Sequence, residues 1–422
     1  MNPKSPAQPP KRPAASPPES PASGKFPRER PSEAQLLEKK SGYHGTPEGF
    51  PGPTTVLLMT ARSDSGRAPQ QILELMRMLK STGIRIFVAS PVNPPYGYEI
   101  KKLADKFIPI PHREFSFSAM LRVRQSIRKH KIGIIHSHGR TAGVYSRLLG
   151  FLTGVSVIHT YHGIQSESGF KGQFKLLVDK ILAGFDFDAI FSSEAERQKA
   201  LQKGVAKDDR ETFVIENAVD LERFPKRKHG QTPMGQIDRA KPESFTSVRI
   251  GALLRPESTR GHEHFLRIVQ ECAGQANFTC AGMTREKLAK IGTIPANLEI
   301  VGPLADPTSW LYSLDMFVST STGDGQVVGS LEAMAAGAIC VLSNVSAHQA
   351  FEKHHAAILF DPKSVQGFQK VLSDLRNDKA VRDMVLGNSR YMLERFHDGH
   401  TFKAKILELY RGAAKRLFRV GS

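Results

Sequence analysis

Residues 54–90 read TTVLLMTARSDSGRAPQQILELMRMLKSTGIRIFVAS, and they hold three different patterns in succession. Val56-Leu57-Leu58-Met59 is a short apolar run of the kind found in strands buried on both faces. A polar turn from Arg62 to Gly66 follows. Ile72, Leu75, Met76 and Leu79 then recur at helical spacing, which predicts a helix with one apolar face. Gly83 stops that helix, and Ile84 to Ala89 predicts a second strand. Strand, helix and strand in this order form a βαβ unit, with parallel strands.

The alternation continues toward the C-terminus. Strands are expected at 132–135, 155–160, 189–191 and 213–215, with a helix over 140–151. Residues 225–245 are basic and polar, carry Pro225, Gly230, Pro233 and Pro242, and read as a linker. A second series begins at Val248, with strands expected at 248–250, 278–280, 298–301, 316–318 and 339–342 and terminal helices over 378–397 and 401–418. The expected fold is α/β, with two doubly wound Rossmann-like domains, 53–224 and 246–398, facing across a cleft. The helix at 401–418 is expected to complete the first domain. Ligands of such sheets bind outside the carboxyl ends of the strands.

The bulk properties set bounds on function. A chain of 422 residues exceeds one ordinary core, so two domains are expected. Residues 1–52 are rich in Pro, Ser, Lys, Arg and Glu, cannot bury enough apolar area to offset ordering, and are expected to be a disordered tail. The N-terminus has no signal-peptide pattern, and the longest apolar stretch, near Leu148–Ile158, is broken by Gly150, Thr153, Gly154 and Ser156. A cytoplasmic protein is therefore expected. Cys272, Cys280 and Cys340 match neither a disulfide framework nor a zinc site. The net charge of +18 points to an anionic partner or to a solvated basic surface.

The segment richest in chemistry runs from Ser319 to Gly337 and reads STSTGDGQVVGSLEAMAAG. It follows an expected strand and opens an expected helix. Glycines let a ligand approach the backbone, and free amides at a helix N-terminus attract phosphate. Asp324 stands in the loop and Glu332 on the first turns of the helix, so both could face one ligand. A carboxylate accepts well from two adjacent hydroxyls, as in a ribose. On spacing alone such a loop is weak evidence, and an ordinary strand-to-helix turn is the commoner reading.

This segment resembles the acidic-x7-Glu signature of the large retaining glycosyltransferase family with the GT-B fold (glycosyltransferase family 4-like, glycosyl transferases group 1). The match is close over Leu331-Glu332-Ala333-Met334-Ala335-Ala336-Gly337. Further stretches agree in order: Ile135-His136-Ser137-His138-Gly139, Thr160-Tyr161-His162-Gly163, Val214 to Asp220, and Arg255-Pro256-Glu257 with Arg260-Gly261-His262. The resemblance implies that Glu332 binds the donor ribose and Asp324 a hydroxyl of the transferred sugar. Arg255 and Arg260 would neutralise the diphosphate, and Gly325, Gly329, Ser330 and Leu331 would add donor contacts. His162 would sit beside the reacting sugar, and the Ser65-Gly66 turn would shape the acceptor side. Charge builds on the diphosphate as the sugar departs, and fixed cations and amides can stabilise it without a metal. The sequence departs from the family pattern at Asp324 (for Glu), Gln326-Val327, Leu253, Arg260 after an apparent insertion of Ser258-Thr259, and Ala218. These departures bear on the identity of the donor.

The implied activity is metal-independent, retaining hexosyl transfer from a nucleotide-sugar to a glycan or lipid-linked acceptor in polysaccharide synthesis. No cofactor is expected, the nucleotide-sugar being a substrate. Asp186-Phe187-Asp188 has the form of a metal-binding motif but directly precedes a strand, where an acid commonly sits. His136 and His138 point to one face of a strand without a third ligand nearby. Phe117, Met120, Leu121 and Ile127 share a segment with Arg122, Arg124, Arg128, Lys129 and Lys131. That basic amphipathic helix either lies on an anionic membrane or packs on the core with a solvated charged face. Two other functions stay open: a nucleotide-sugar epimerase of the same architecture, and a basic nucleic-acid-binding protein. For the latter no nucleic-acid motif or aromatic-basic platform appears.

Overall fold

The computed structural model describes residues 54–64, 66–163, 169–185, 188–207, 212–225, 248–255, 261–322 and 328–420. The expected tail and the linker after Pro225 lie outside them, as do Ser65, Asp186, Phe187, Arg260, Asp324 and Gly325.

The first half forms a seven-stranded parallel sheet in the order β3-β2-β1-β4-β5-β6-β7. Its strands are β1 (Thr55–Thr60), β2 (Arg85–Ser90), β3 (Lys106–Pro109), β4 (Ile134–His138), β5 (Ser156–Thr160), β6 (Asp188–Phe191) and β7 (Thr212–Val214). The second half forms a six-stranded parallel sheet in the order β10-β9-β8-β11-β12-β13. These strands are β8 (Arg249–Leu253), β9 (Asn277–Ala281), β10 (Leu298–Gly302), β11 (Met316–Ser319), β12 (Ile339–Ser343) and β13 (Ile358–Phe360). Both sheets belong to the unit Gly49–Ser422 and face across a cleft. In each sheet the strand order reverses once, between β1 and β4 and between β8 and β11. A crevice opens where the order reverses, beyond the carboxyl ends of those strands.

The opening stretch explains the first core. Every residue of β1 is buried. Alternate side chains go to opposite faces, so both layers need apolar residues. Val56 and Leu58 pack with Ile72, Leu75, Met76 and Leu79 of the helix Arg67–Leu79. Leu57 and Met59 pack on the other face with Ile135, Tyr145 and Leu149. The first face is closed by the last helix, Gly399–Val420, through Phe402, Ile406, Tyr410 and Ala413. The chain thus returns to the first sheet after building the second. Arg416 pairs with Asp188 at the start of β6, and the Ser156 hydroxyl donates to the Ala413 carbonyl at 2.9 Å.

Three local features differ from the sequence reading. The edge strands β3 and β13 have only four and three residues and present no apolar run long enough to register. Strand β4 runs on through His136, Ser137 and His138, all buried, because each polar side chain finds a partner. His136 meets the Tyr410 hydroxyl and the Thr160 hydroxyl, both at 2.8 Å, and Ser137 meets Ser146 at 2.7 Å and His159 at 2.9 Å. The basic helix Phe117–His130 buries Met120 and Ile127 in the core and exposes Phe117 and Leu121, so its apolar residues do not form one stripe.

Candidate active site

The two crevices meet along the helix Arg67–Leu79, which follows β1. Gly66 caps that helix with φ of 107°, a conformation glycine adopts without steric cost. Its first turns carry polar residues toward the second sheet. Gln70 is buried, and its amide nitrogen donates to Glu332 Oε2 at 3.0 Å. Its carbonyl accepts from Arg255 Nη2 at 2.7 Å. Glu332 and Arg255, 77 positions apart in the chain, are therefore joined through one side chain of the first half.

Glu332 sits on the helix Val328–Ala335, whose residues are all buried. Burial pushes its carboxyl pKa up to about 7, and the nearby Glu74 pushes the same way, while Arg223 and Arg255 pull it down. Glu74 accepts from Arg223 at 2.5 Å and from Arg77 at 2.8 Å, and Arg223 also donates to Asp306 at 2.9 Å and Thr308 at 3.1 Å. This second bridge lies one helical turn beyond Gln70 and ties both halves together.

Gly329, Ser330 and Leu331 lie on the first turn of the Glu332 helix. The Leu331 side chain is fully enclosed in the second core, so a ligand could meet only its backbone. Ser330 Oγ is buried and has no hydrogen-bond partner among the described residues. A Cβ placed on Gly329 would stand 2.8 Å from a Leu253 methyl, so Leu253 packs over the start of this helix. An arginine at 253 would have to turn elsewhere.

On the first sheet, β4 and β5 deliver His138 and, one loop further, His162. Gln71 donates through its amide nitrogen to Asn217 Oδ1 at 3.0 Å, which turns its carbonyl to His138 Nδ1 at 3.1 Å. His138 Nδ1 must then carry the proton. The same nitrogen lies 3.2 Å from His162 Nε2, so its single N–H is shared between Gln71 and His162, and a His162 that accepts there carries its own proton on Nδ1. Burial, reinforced by the charges of Arg67, His136 and Arg255, lowers the His162 pKa to about 3. Asn217 is held in turn by His397, which donates through Nδ1 to its carbonyl at 2.8 Å. Glu196 receives the Gly163 amide, the Ser192 amide at 2.8 Å and the Ser192 hydroxyl at 2.7 Å, which fixes the loop that presents His162.

Of the residues proposed from the sequence, Glu332, Arg255, Gly329, Ser330, Leu331, His162 and Gly66 fall among the described residues, at the ends of β1, β5 and β8 and on the helix after β11. Arg260, Asp324, Gly325 and Ser65 lie outside them. Among the described residues no group of three or more His, Cys, Asp and Glu is arranged to hold a metal. Sequence reasoning passed over Gln70, Gln71, Arg67 and the Glu74–Arg223–Asp306 bridge. The available signal was a pair of adjacent glutamines just before the apolar positions of an amphipathic helix.

Comparison with known proteins bears on the family and the fold. The model of Glycosyltransferase Family 4 matches residues 68–223, and that of Glycosyl transferases group 1 matches residues 245–378. An Escherichia coli UDP-Gal:alpha-D-GlcNAc-diphosphoundecaprenol alpha-1,3-galactosyltransferase is 24% identical over 294 residues, 66% of this chain and 76% of the relative. The Staphylococcus aureus capsular polysaccharide biosynthesis glycosyltransferase CapM is 21% identical over 298 residues, 65% of this chain and 76% of the relative. The crystal structure of Anabaena HepE with UDP and glucose superposes with a TM-score of 0.70 at 16% identity, covering 85% of this chain and 100% of that one. One family model covers β2 to β7 of the first sheet and the other all six strands of the second, and the chain is a GT-B-fold glycosyltransferase related to glycosyltransferase family 4 and the glycosyl transferases group 1.

Proposed function

We propose that this glycosyltransferase takes a hexose from a nucleoside diphosphate sugar and transfers it, with retention, to a glycan or lipid-linked acceptor in cell-surface polysaccharide assembly. The observation that carries the reading is the Glu332–Gln70–Arg255 chain. It sets a buried carboxylate and a guanidinium side by side where the strand order of the second sheet reverses. A carboxylate suits ribose hydroxyls and a guanidinium suits a diphosphate. The donor and acceptor named for the E. coli relative support the choice of substrates. In the reaction the anomeric C–O bond breaks with its electron pair on the diphosphate. The acceptor hydroxyl forms the new bond and gives up its proton. Arg255, and by resemblance Arg260 and Asp324, would act on the donor side, with Ser65 and Gly66 on the acceptor side.

A thermal-shift panel of nucleoside diphosphates tests the donor reading. One nucleotide is expected to raise the melting temperature by several degrees, because it binds only the folded state. NMR of the product then reports the anomeric configuration. A panel without any shift, combined with no transfer from any nucleotide-sugar, would sink the proposal. Hydrolysis or epimerisation of the sugar without an acceptor would favour the epimerase instead.

We also propose that the enzyme works at the inner face of a membrane. Among the described residues no helix is long and apolar enough to span a bilayer. The helix Phe117–His130 exposes Phe117 and Leu121 together with Arg122, Arg128 and Lys129, a combination suited to anionic headgroups. Replacing those three cations by Gln is expected to reduce sedimentation with phosphatidylglycerol vesicles at low salt. Unchanged sedimentation of the folded variant would remove this helix from the membrane contact.

A further inference from the structure

The cleft contains a cation that the donor reading does not yet use. Arg67 opens the helix after Gly66, one turn before Gln70 and therefore on the same helical side. It is half-buried, as a side chain lining a cleft should be. Among the described residues its guanidinium has no hydrogen-bond partner. Among the described residues the acid that acts on it is Glu196, whose carboxylate is already engaged by Gly163 and Ser192.

Three facing groups locate Arg67. Arg255 of the second sheet donates to Gln70 at 2.7 Å, one turn along the same side of the helix, and after burial its charge is the main influence lowering the Arg67 pKa. A Cβ placed on Gly163, next to His162, would stand 3.9 Å from Arg67 Nη1. His162 on the first sheet feels the charge of Arg67. So does His348, which lies beyond β12 in the second half. His348 is fully buried and donates through Nδ1 to the Ser343 carbonyl at 2.8 Å, while its Nε2 has no partner among the described residues. Arg67 thus stands between the halves, facing a like charge.

We infer that Arg67 and Arg255 form a two-sided guanidinium clamp for the donor diphosphate, one arm from each sheet. The inference rests on the donor reading above. Two half-buried cations facing one another across the cleft repel. A diphosphate between them removes that repulsion. It would also make charge neutralisation depend on both halves meeting around the donor, so an open cleft would bind the diphosphate less tightly and stabilise its departure less.

Calorimetry of the full-length protein with inorganic pyrophosphate, UDP, GDP, ADP and the free nucleosides tests the clamp. For Arg67→Gln, affinity for pyrophosphate and for the preferred nucleoside diphosphate is expected to fall about tenfold or more, with nucleoside binding unchanged. Arg67→Lys should recover part of the loss, since it keeps the charge but not the fork. Melting without ligand should not fall in Arg67→Gln, because a repulsion is relieved. A folded Arg67→Gln protein that binds pyrophosphate and the nucleotide as the parent does would overturn the clamp. A parent that binds none of the nucleotides overturns the donor reading separately. Pyrophosphate then decides Arg67 alone, and equal binding by parent and variant, or none by either, sinks it.

Discussion

Glu332→Gln is expected to weaken nucleoside diphosphate binding by roughly ten- to a hundredfold while leaving the melting temperature at neutral to alkaline pH unchanged or raised. The first half follows from what the carboxylate can do. On the proposed donor reading it would accept from two neighbouring ribose hydroxyls, whereas the amide offers a single acceptor oxygen. Losing a charge-assisted bond in an enclosed site costs about 1.5–3 kcal/mol. Gln70 donates to one oxygen of the Glu332 carboxylate at 3.0 Å. The second half follows from linkage. Burial raises the Glu332 pKa from 4.5 to about 7 in the folded protein. Below pH 4.5 the group favours folding fully, and that contribution is lost as pH rises to about 7. The glutamine has no such loss. Binding should show the opposite trend, because ribose hydroxyls donate to the ionised form. The parent-to-variant affinity ratio is expected to grow from about pH 5.5 to about pH 8, a comparison in which titration of the nucleotide cancels. Calorimetry at three pH values measures it. Equal affinity in parent and variant, with a lower melting temperature for the variant, would make Glu332 a helix-end residue worth about 0.3–1 kcal/mol.

Much of the architecture was legible because parallel strands covered on both faces must be apolar throughout. Val56 to Met59, Met316 to Val318 and Ile339 to Leu342 stand out for that reason. Strand β4 was harder, since half of it is polar and is tolerated only because Tyr410, Thr160, Ser146 and His159 supply partners from distant positions. The site divides along similar lines. Glu332, Arg255 and His162 stand in local patterns, a loop before a helix or a residue just past a strand. Gln70, Arg67 and Arg223 do not. Their roles arise from contacts between halves more than a hundred residues apart in the chain, such as Gln70 with Glu332, and no local period encodes those. The departure at Leu253 becomes intelligible only once its methyl is seen against Gly329.

His162→Ala should separate chemistry from nucleotide binding. The imidazole is neutral over the whole working range, with a pKa lowered to about 3 by burial and by the nearby cations Arg67 and Arg255. It therefore cannot serve as a proton shuttle near neutral pH. Its Nε2 is engaged by His138, and the proton on Nδ1 is left to donate. His138 is itself set by Gln71 and Asn217, so the tautomer is fixed by the protein before any sugar arrives. If His162 sits beside the sugar, as the resemblance implies, a prepositioned neutral donor would need no reorganisation as the anomeric bond breaks, and losing such a donor costs about 10²–10³ in kcat. Transfer by His162→Ala is expected to fall by about that factor, while nucleoside diphosphate affinity changes less than about threefold. His162→Asn should restore part of the rate, since its side chain can also donate. The pH profile of kcat for the parent should show no inflection that His162→Ala removes. A variant that loses nucleotide affinity in step with transfer would place His162 at the diphosphate instead of the sugar. An inflection between about pH 6 and pH 7 that disappears in the variant would mean that the residue titrates during turnover, against the neutral role argued for it.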